Sequence, residues 1–196
     1  CMTQVIYQRG FSYWLRRFAA AVMNVISMAQ RSNDSEQEDV NTQAARILDS
    51  YGNSVLRLAY SYLHNMPDAE DILQETLIRY FRSAPQFESD SHEKAWLLRV
   101  AANLSKNRID YNKIRLSEEI NEEIAADEKD DLSFVWEAVK QLPQTQSEVI
   151  HLFYQEGYST AEIAKLLSRR ESTVRSDLKR GREKLRTILK EAYDFE

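Results

Sequence analysis

Apolar residues in this chain recur at helical rather than strand spacing from about residue 42 onward. Ala45, Leu48, Val55, Leu56, Leu58, Ala59 and Tyr62 predict a first helix from about Thr42 to Asn65. A second is predicted to open at Pro67 and Asp68, with Asp68 as N-cap and acids in the first turn, where the helix dipole favours them. Its face, Ala69, Ile72, Leu73, Thr76, Leu77, Tyr80 and Phe81, follows i, i+3, i+4, i+7 spacing. A third is predicted after Phe87, with Asp90 and Glu93 spaced as a capping box, carrying Ala95, Trp96, Leu98, Ala101, Ala102 and Leu104 to about Lys113. Later come a helix through Phe134, Val135 and Val139, a break at Leu142 and Pro143, and a helix from about Thr145 to Gln155. Gly157 closes the latter as a C′ residue. A short capped helix, a turn and a long second helix end the pattern. Only four Gly and three Pro are present and strand-like runs are scarce, so the expected fold is all-α.

Charge divides this helical chain. Its net charge is -5, yet Thr160 to Lys190 holds ten basic residues against four acidic ones. Ser117 to Asp131 holds eight acids against the single base Lys129. A segment so charged repels itself, buries little and suits a flexible linker. The expected architecture is therefore two small helical domains, 41–113 and 132–196, joined by an acidic linker at 114–131 and preceded by an extension at 1–40. The basic C-terminal pair of helices has the form of a helix-turn-helix, whose second helix normally enters the DNA major groove. Segregated positive charge of this kind points to a polyanionic partner.

Several classes drop out. The one cysteine, Cys1, allows no internal disulfide and no CxxC metal site, and His64, His92 and His151 lack ligand spacing. No Gly-rich phosphate loop and no nucleophile-base-acid pattern stands out, so neither catalysis nor a cofactor is expected. The apolar run from Phe18 to Ala29, interrupted by Asn24 and Ser27, is too short to span a bilayer. It follows Arg9, Arg16 and Arg17 in the manner of a signal-peptide core, but no clear cleavage site follows, and the cytosol is the expected compartment. Two readings of residues 1–40 stay open: an overcalled start, with the working protein beginning near Met23 or Met28, or an amphipathic accessory helix.

Three motifs, in order, carry a resemblance. Asp68 to Leu77 resembles the polymerase-binding segment of bacterial sigma factors, and Ala95 to Asn103 resembles the helix they use at the −10 promoter element. Leu142 and Pro143, Ser159 to Ala164 and Ser172 to Ser176 resemble their −35-binding domain. With no third domain between, the layout is similar to the extracytoplasmic-function, or group 4, subclass of the sigma-70 family. A single helix-turn-helix would be weak; three motifs in family order are specific.

The resemblance implies sites. Asp71, Gln74 and Glu75, which share one helix face, would contact the polymerase clamp helices. Phe87, Asp90 and Ser91 would belong to the loop that captures a flipped −10 base, with Trp96, Arg99, Asn103 and Lys106 on the helix behind it. Arg169, Arg170, Ser172, Thr173, Arg175, Ser176, Lys179 and Arg180 would meet the −35 element. The turn departs from the family: Ser168, Arg169 and Arg170 stand where relatives tend to carry Gly, a hydrophobic residue and Ser. Gly181 inside the recognition helix has no evident function. The implied partners are core RNA polymerase, through its clamp helices and flap, and promoter DNA, with an anti-sigma factor as a third candidate. The free chain is expected to be monomeric and not membrane-inserted. The alternative is a stand-alone helix-turn-helix regulator with a dimerisation or sensor domain, which would need a self-complementary apolar face or a pocket in the first domain.

Overall fold

Ala44, Ile47 and Leu48 open the buried face of α1, a helix over residues 42–63. The structure is a computed structural model that describes residues 42–116 and 133–193. The extension at 1–40 and almost all of the acidic linker lie outside the described residues. Within α1 a π-helical turn spans Leu48–Gly52 before regular helix resumes at Asn53–Leu63. The apolar arc is centred on Ala44, Ile47 and Leu48, which leaves Ala45 exposed, contrary to expectation. Val55, Leu56, Leu58, Ala59 and Tyr62 continue the buried face as expected.

Helix α2 spans Met66–Ser83. Its N-cap is Asn65, not Asp68: the Asn65 side chain accepts a hydrogen bond from the Asp68 amide at 3.0 Å. Pro67 fits in the first turn because amides there have no intrahelical acceptor to lose. The expected stripe from Ala69 to Tyr80 is buried throughout, and Phe81 packs at its edge.

Helix α3, Asp90–Leu116, also starts differently from its predicted cap. Ser89 is the capping residue, its hydroxyl accepting from the His92 amide at 3.2 Å. Glu93 is freed for another task. It is 4% exposed and accepts two hydrogen bonds from Arg46, at 2.7 and 2.9 Å, and one from Tyr80 at 2.6 Å. The Arg46 fork holds the Glu93 carboxyl below its ordinary pKa, whereas burial and then Glu93 itself push the Tyr80 hydroxyl up to about 12. This cluster ties α1, α2 and α3 together beneath the loop that joins α2 to α3.

The second group comprises α4 (Ser133–Lys140), α5 (Gln144–Ile150, continued by a π-helical turn at His151–Gln155), α6 (Thr160–Leu167) and α7 (Glu171–Tyr193). Gly157, at φ 77°, adopts the left-handed backbone expected after α5. Ser159 and Glu162 form a reciprocal capping box on α6. Both groups are all-helical, and among the described residues none is in a strand. They are not held apart. α1 packs on α5, α3 packs on α6, and their buried apolar side chains form one continuous cluster.

Candidate polymerase and nucleic-acid interfaces

Asp71, Gln74 and Glu75 lie together along one edge of α2, beside the buried stripe. The Asp71 carboxylate stands 3.5 Å from Arg108 of α3, which also pairs with Asp68 at 2.7 Å. Glu75 is 3.1 Å from Arg79, one turn on. Gln74 and Glu75 are half-buried and Asp71 is exposed. Burial first, and the Asp71 charge second, push the neighbouring Glu70 carboxyl up. The edge is thus an acidic, amide-bearing ridge with its backbone fixed by the packed stripe below.

Phe87 and Trp96 sit in an aromatic group with Tyr80 and His92. Phe87 stacks on Tyr80 at 5.8 Å between centroids, and Trp96 meets the edges of Tyr80 at 5.8 Å and Phe87 at 6.0 Å. Both are half-buried, so each supports the domain while leaving part of its ring outward. Asp90 and Ser91 are exposed at the start of α3; the Ser91 hydroxyl is 3.0 Å from that of Ser89. Asn103 is exposed. Arg99 and Lys106 are engaged elsewhere: Arg99 donates to the Lys165 carbonyl at 3.2 Å, and the Lys106 ammonium lies 3.2 Å from Glu148.

In the helix-turn-helix, Ser168 ends α6 at φ 54° and ψ 44°, the left-handed conformation that Gly would reach without strain. With no side-chain cap at Arg170, Glu171 reaches back to accept from the Thr160 hydroxyl at 2.9 Å. Val174 and Leu178 are buried and Leu185 half-buried, so α7 turns Ser172, Thr173, Arg175, Ser176, Lys179 and Arg180 to solvent. Arg175 is braced by Glu171 at 2.7 Å, and Arg180 by Asp177 at 3.0 Å. Arg170 is exposed. Arg169 is not: its guanidinium turns inward to Glu148 and, at 3.7 Å, to Asp177. Gly181 also has a structural reason. A methyl group there would meet Ile150 Cγ1 at 3.2 Å and Gln146 Cβ at 3.3 Å, so the missing side chain lets α7 cross α5 closely.

Two known families match, in order and without overlap: Sigma-70 region 2 over residues 47–113 and Sigma-70 region 4 over residues 135–185. The chain belongs to the sigma-70 family. Among relatives of this sigma factor, the extracytoplasmic-function (ECF) RNA polymerase sigma factor SigE of Mycolicibacterium smegmatis is 34% identical over 154 residues. That match covers 71% of this chain and 58% of SigE. The ECF factor SigW of Bacillus subtilis is 29% identical over 168 residues, covering 75% of this chain and 89% of SigW. Among solved structures, the sigma factor RpoE of Bartonella quintana, in complex with the anti-sigma factor NepR, superposes with a TM-score of 0.63 at 26% identity. It covers 74% of this chain and 96% of RpoE. The ECF subclass accounts for the two-region layout. A stand-alone regulator is not favoured.

In this sigma factor the residues that sequence reasoning passed over lie between the two regions. The Glu148 side chain, 1% exposed, takes the Tyr62 hydroxyl, Lys106 and Arg169. Glu156, equally buried, takes Lys94 at 2.8 Å and Arg57 at 3.4 Å. Burial pushes the Glu156 carboxyl up, but hydrogen bonds from Lys94 and Ser54, with the charges of Lys94 and Arg57, outweigh it and hold the group below its ordinary value. Burial pushes His151 down to about 4, the nearby Glu156 opposing and Arg57 reinforcing the shift. Tyr62 is driven well above its ordinary value by burial and then by Glu148. Removing one member of such a buried pair typically costs about 3–5 kcal/mol, because the other charge is left uncompensated. Helical spacing could not flag Glu148: as one polar residue on a short helix, it reads like any solvated glutamate.

Proposed function

We propose that this chain binds core RNA polymerase and directs promoter-specific initiation by reading a −35 element with α7 and a −10 element with α3 and the loop before it. The observation that carries the reading is the pairing of two exposed surfaces on one scaffold: the acidic-amide ridge of α2 and the basic, serine-bearing outer face of α7. The ridge suits the clamp helices of the polymerase, and the basic face suits a phosphate-lined groove. On this reading the chain performs no catalysis of its own; the polymerase supplies the chemistry. No helix among the described residues is long and apolar enough to cross a membrane, which accords with action in the cytoplasm, where the template lies. Domain bounds of 41–113 and 132–196, with an acidic linker between, belong to this proposal. So does an anti-sigma partner, by likeness to RpoE, which was solved with one.

Competition for core enzyme tests the docking surface. Asp71 is also held by Arg108, so Glu75→Lys is the cleaner perturbation. Reversing a charge buried in the contact should weaken core binding by about 2–5 kcal/mol. Helicity of the free variant should be unchanged. A variant that displaces a labelled reference sigma factor as well as the parent chain does would remove α2 from the contact.

A further inference from the structure

Cations on and beside the surfaces that the proposed function assigns to DNA are already engaged from within the chain. Lys106 and Arg99 of α3 belong to the −10 surface, Lys94 lies on the same helix, and Arg169 stands in the turn of the −35 domain. Lys106 and Arg169 converge on Glu148, Lys94 meets Glu156 at 2.8 Å, and Arg99 meets the Lys165 carbonyl at 3.2 Å. Both carboxylates belong to α5 and the residue that closes it, in the second domain. Both side chains are 1% exposed. A buried carboxylate is tolerated only with partners, and here most of the partners come from the other domain: Tyr62 and Lys106 for Glu148, Arg57, Ser54 and Lys94 for Glu156. The contact is therefore chemically specified, with each anion matched to cations across the boundary. Aromatic rings extend the match: across the boundary Lys94 lies over Tyr158 and Lys140 over Tyr60.

We propose that Glu148 and Glu156 act as internal substitutes for backbone phosphates, latching the second domain onto the cationic side of α3 and holding the free protein closed against single-stranded DNA. The inference rests on the reading of α3 as a DNA-facing helix and adds a regulatory contact to it. Opening exchanges carboxylate for phosphate on the ammonium groups of Lys94 and Lys106. Closure lowers apparent DNA affinity by the fraction of chains that are open. Glu148 also holds Arg169 of its own domain, so one acidic residue engages a cation from each DNA-binding region. Polymerase that holds the domains apart would release Lys94 and Lys106, while Arg169 stays paired within its own domain.

The test uses the full chain in three forms: wild type, Glu148→Gln/Glu156→Gln, and Lys94→Ala/Lys106→Ala. Small-angle X-ray scattering reports closure, and fluorescence anisotropy with a fluorescein-labelled single-stranded DNA oligonucleotide reports affinity. Circular dichroism verifies the helical content of each form. Wild type should scatter as a closed particle, and both variants should expand. The acid variant should bind the oligonucleotide about tenfold more tightly than wild type. The lysine variant should bind more weakly although it is open, a split that a merely structural role would not produce. A wild-type profile of separated domains overturns the inference, and so does an acid variant that stays closed or opens without gaining affinity. If the acid variant fails to fold, a lysine variant as compact as wild type overturns it equally. If the acid variant opens and no form binds DNA, the reading of α3 falls and takes this inference with it. A chain extended when free that still initiates at promoters with core enzyme keeps the proposed function and loses only the latch.

Discussion

Replacing Gly181 by alanine sets two effects of similar size against each other. Helix interiors favour Ala over Gly by about 0.8–1.0 kcal/mol, and position 181 lies ten residues inside α7. Against that gain stands the crossing with α5. The new methyl would lie 3.2 Å from Ile150 Cγ1 and 3.3 Å from Gln146 Cβ. Carbon pairs rest at about 3.5–4.0 Å, so the helices must part by a few tenths of an ångström. Ile150 is 3% exposed and has little room to yield, and the Gln146 Cβ is fixed to its backbone. Overpacking of this kind costs about 1–3 kcal/mol. The clash should win, leaving Gly181→Ala less stable by about 1 kcal/mol and Gly181→Val by more. Urea denaturation followed by circular dichroism gives the difference, with the slope m expected to stay constant. Lys184→Gly, at an exposed position of the same helix, is the control and should lose about 1 kcal/mol through propensity alone. A Gly181→Ala chain more stable than its parent would refute the claim that close approach, rather than chance, explains this glycine.

Other expectations follow from single sites. Ser168→Gly should gain on the order of 0.5 kcal/mol, since the left-handed strain of a non-glycine residue slightly exceeds the entropy that Gly loses on folding; a loss in urea melts would contradict this. His151, with its folded pKa lowered to about 4 from an unfolded 6.5, contributes stability that is present above pH 6.5 and lost as pH falls toward 4. About 2 kcal/mol should go between pH 7 and 5, and His151→Phe should flatten that slope, as melts at both pH values would reveal. Arg175→Ala should relax preference at one −35 position at a cost of about 1–3 kcal/mol, whereas Lys179→Ala should weaken all promoters alike. Selection from a promoter library separates these outcomes.

Regular amphipathic stretches were legible in the sequence wherever one face alone is buried. The stripe of α2 is the clearest case, because every one of its positions Ala69, Ile72, Leu73, Thr76, Leu77 and Tyr80 is buried. α3 was less legible: Leu97 is wholly buried yet falls outside the stripe first traced, because the helix contacts α1, α2 and α6 and so buries a wider arc. Local polar patterns misled where a tertiary partner intervened. Asp90 and Glu93 have capping-box spacing, but Arg46, remote in sequence, claims Glu93, and Ser89 takes over the cap. Asp68 invites the same error, since Asn65 caps α2 and Arg108 claims Asp68. The outward face of α7 followed from its apolar side, with Val174 and Leu178 inward. What no periodicity could reveal is the meeting of the two domains, because Glu148 and Glu156 find their partners only across it.

Run-off transcription with purified core RNA polymerase tests the central claim most directly. A template library varying the −35 and −10 elements, offered to core enzyme alone and to core enzyme with this chain, should yield defined transcripts only when the chain is present, from templates sharing one pair of elements. Equal transcription with and without the chain across the whole library would contradict its role as a promoter-specificity subunit.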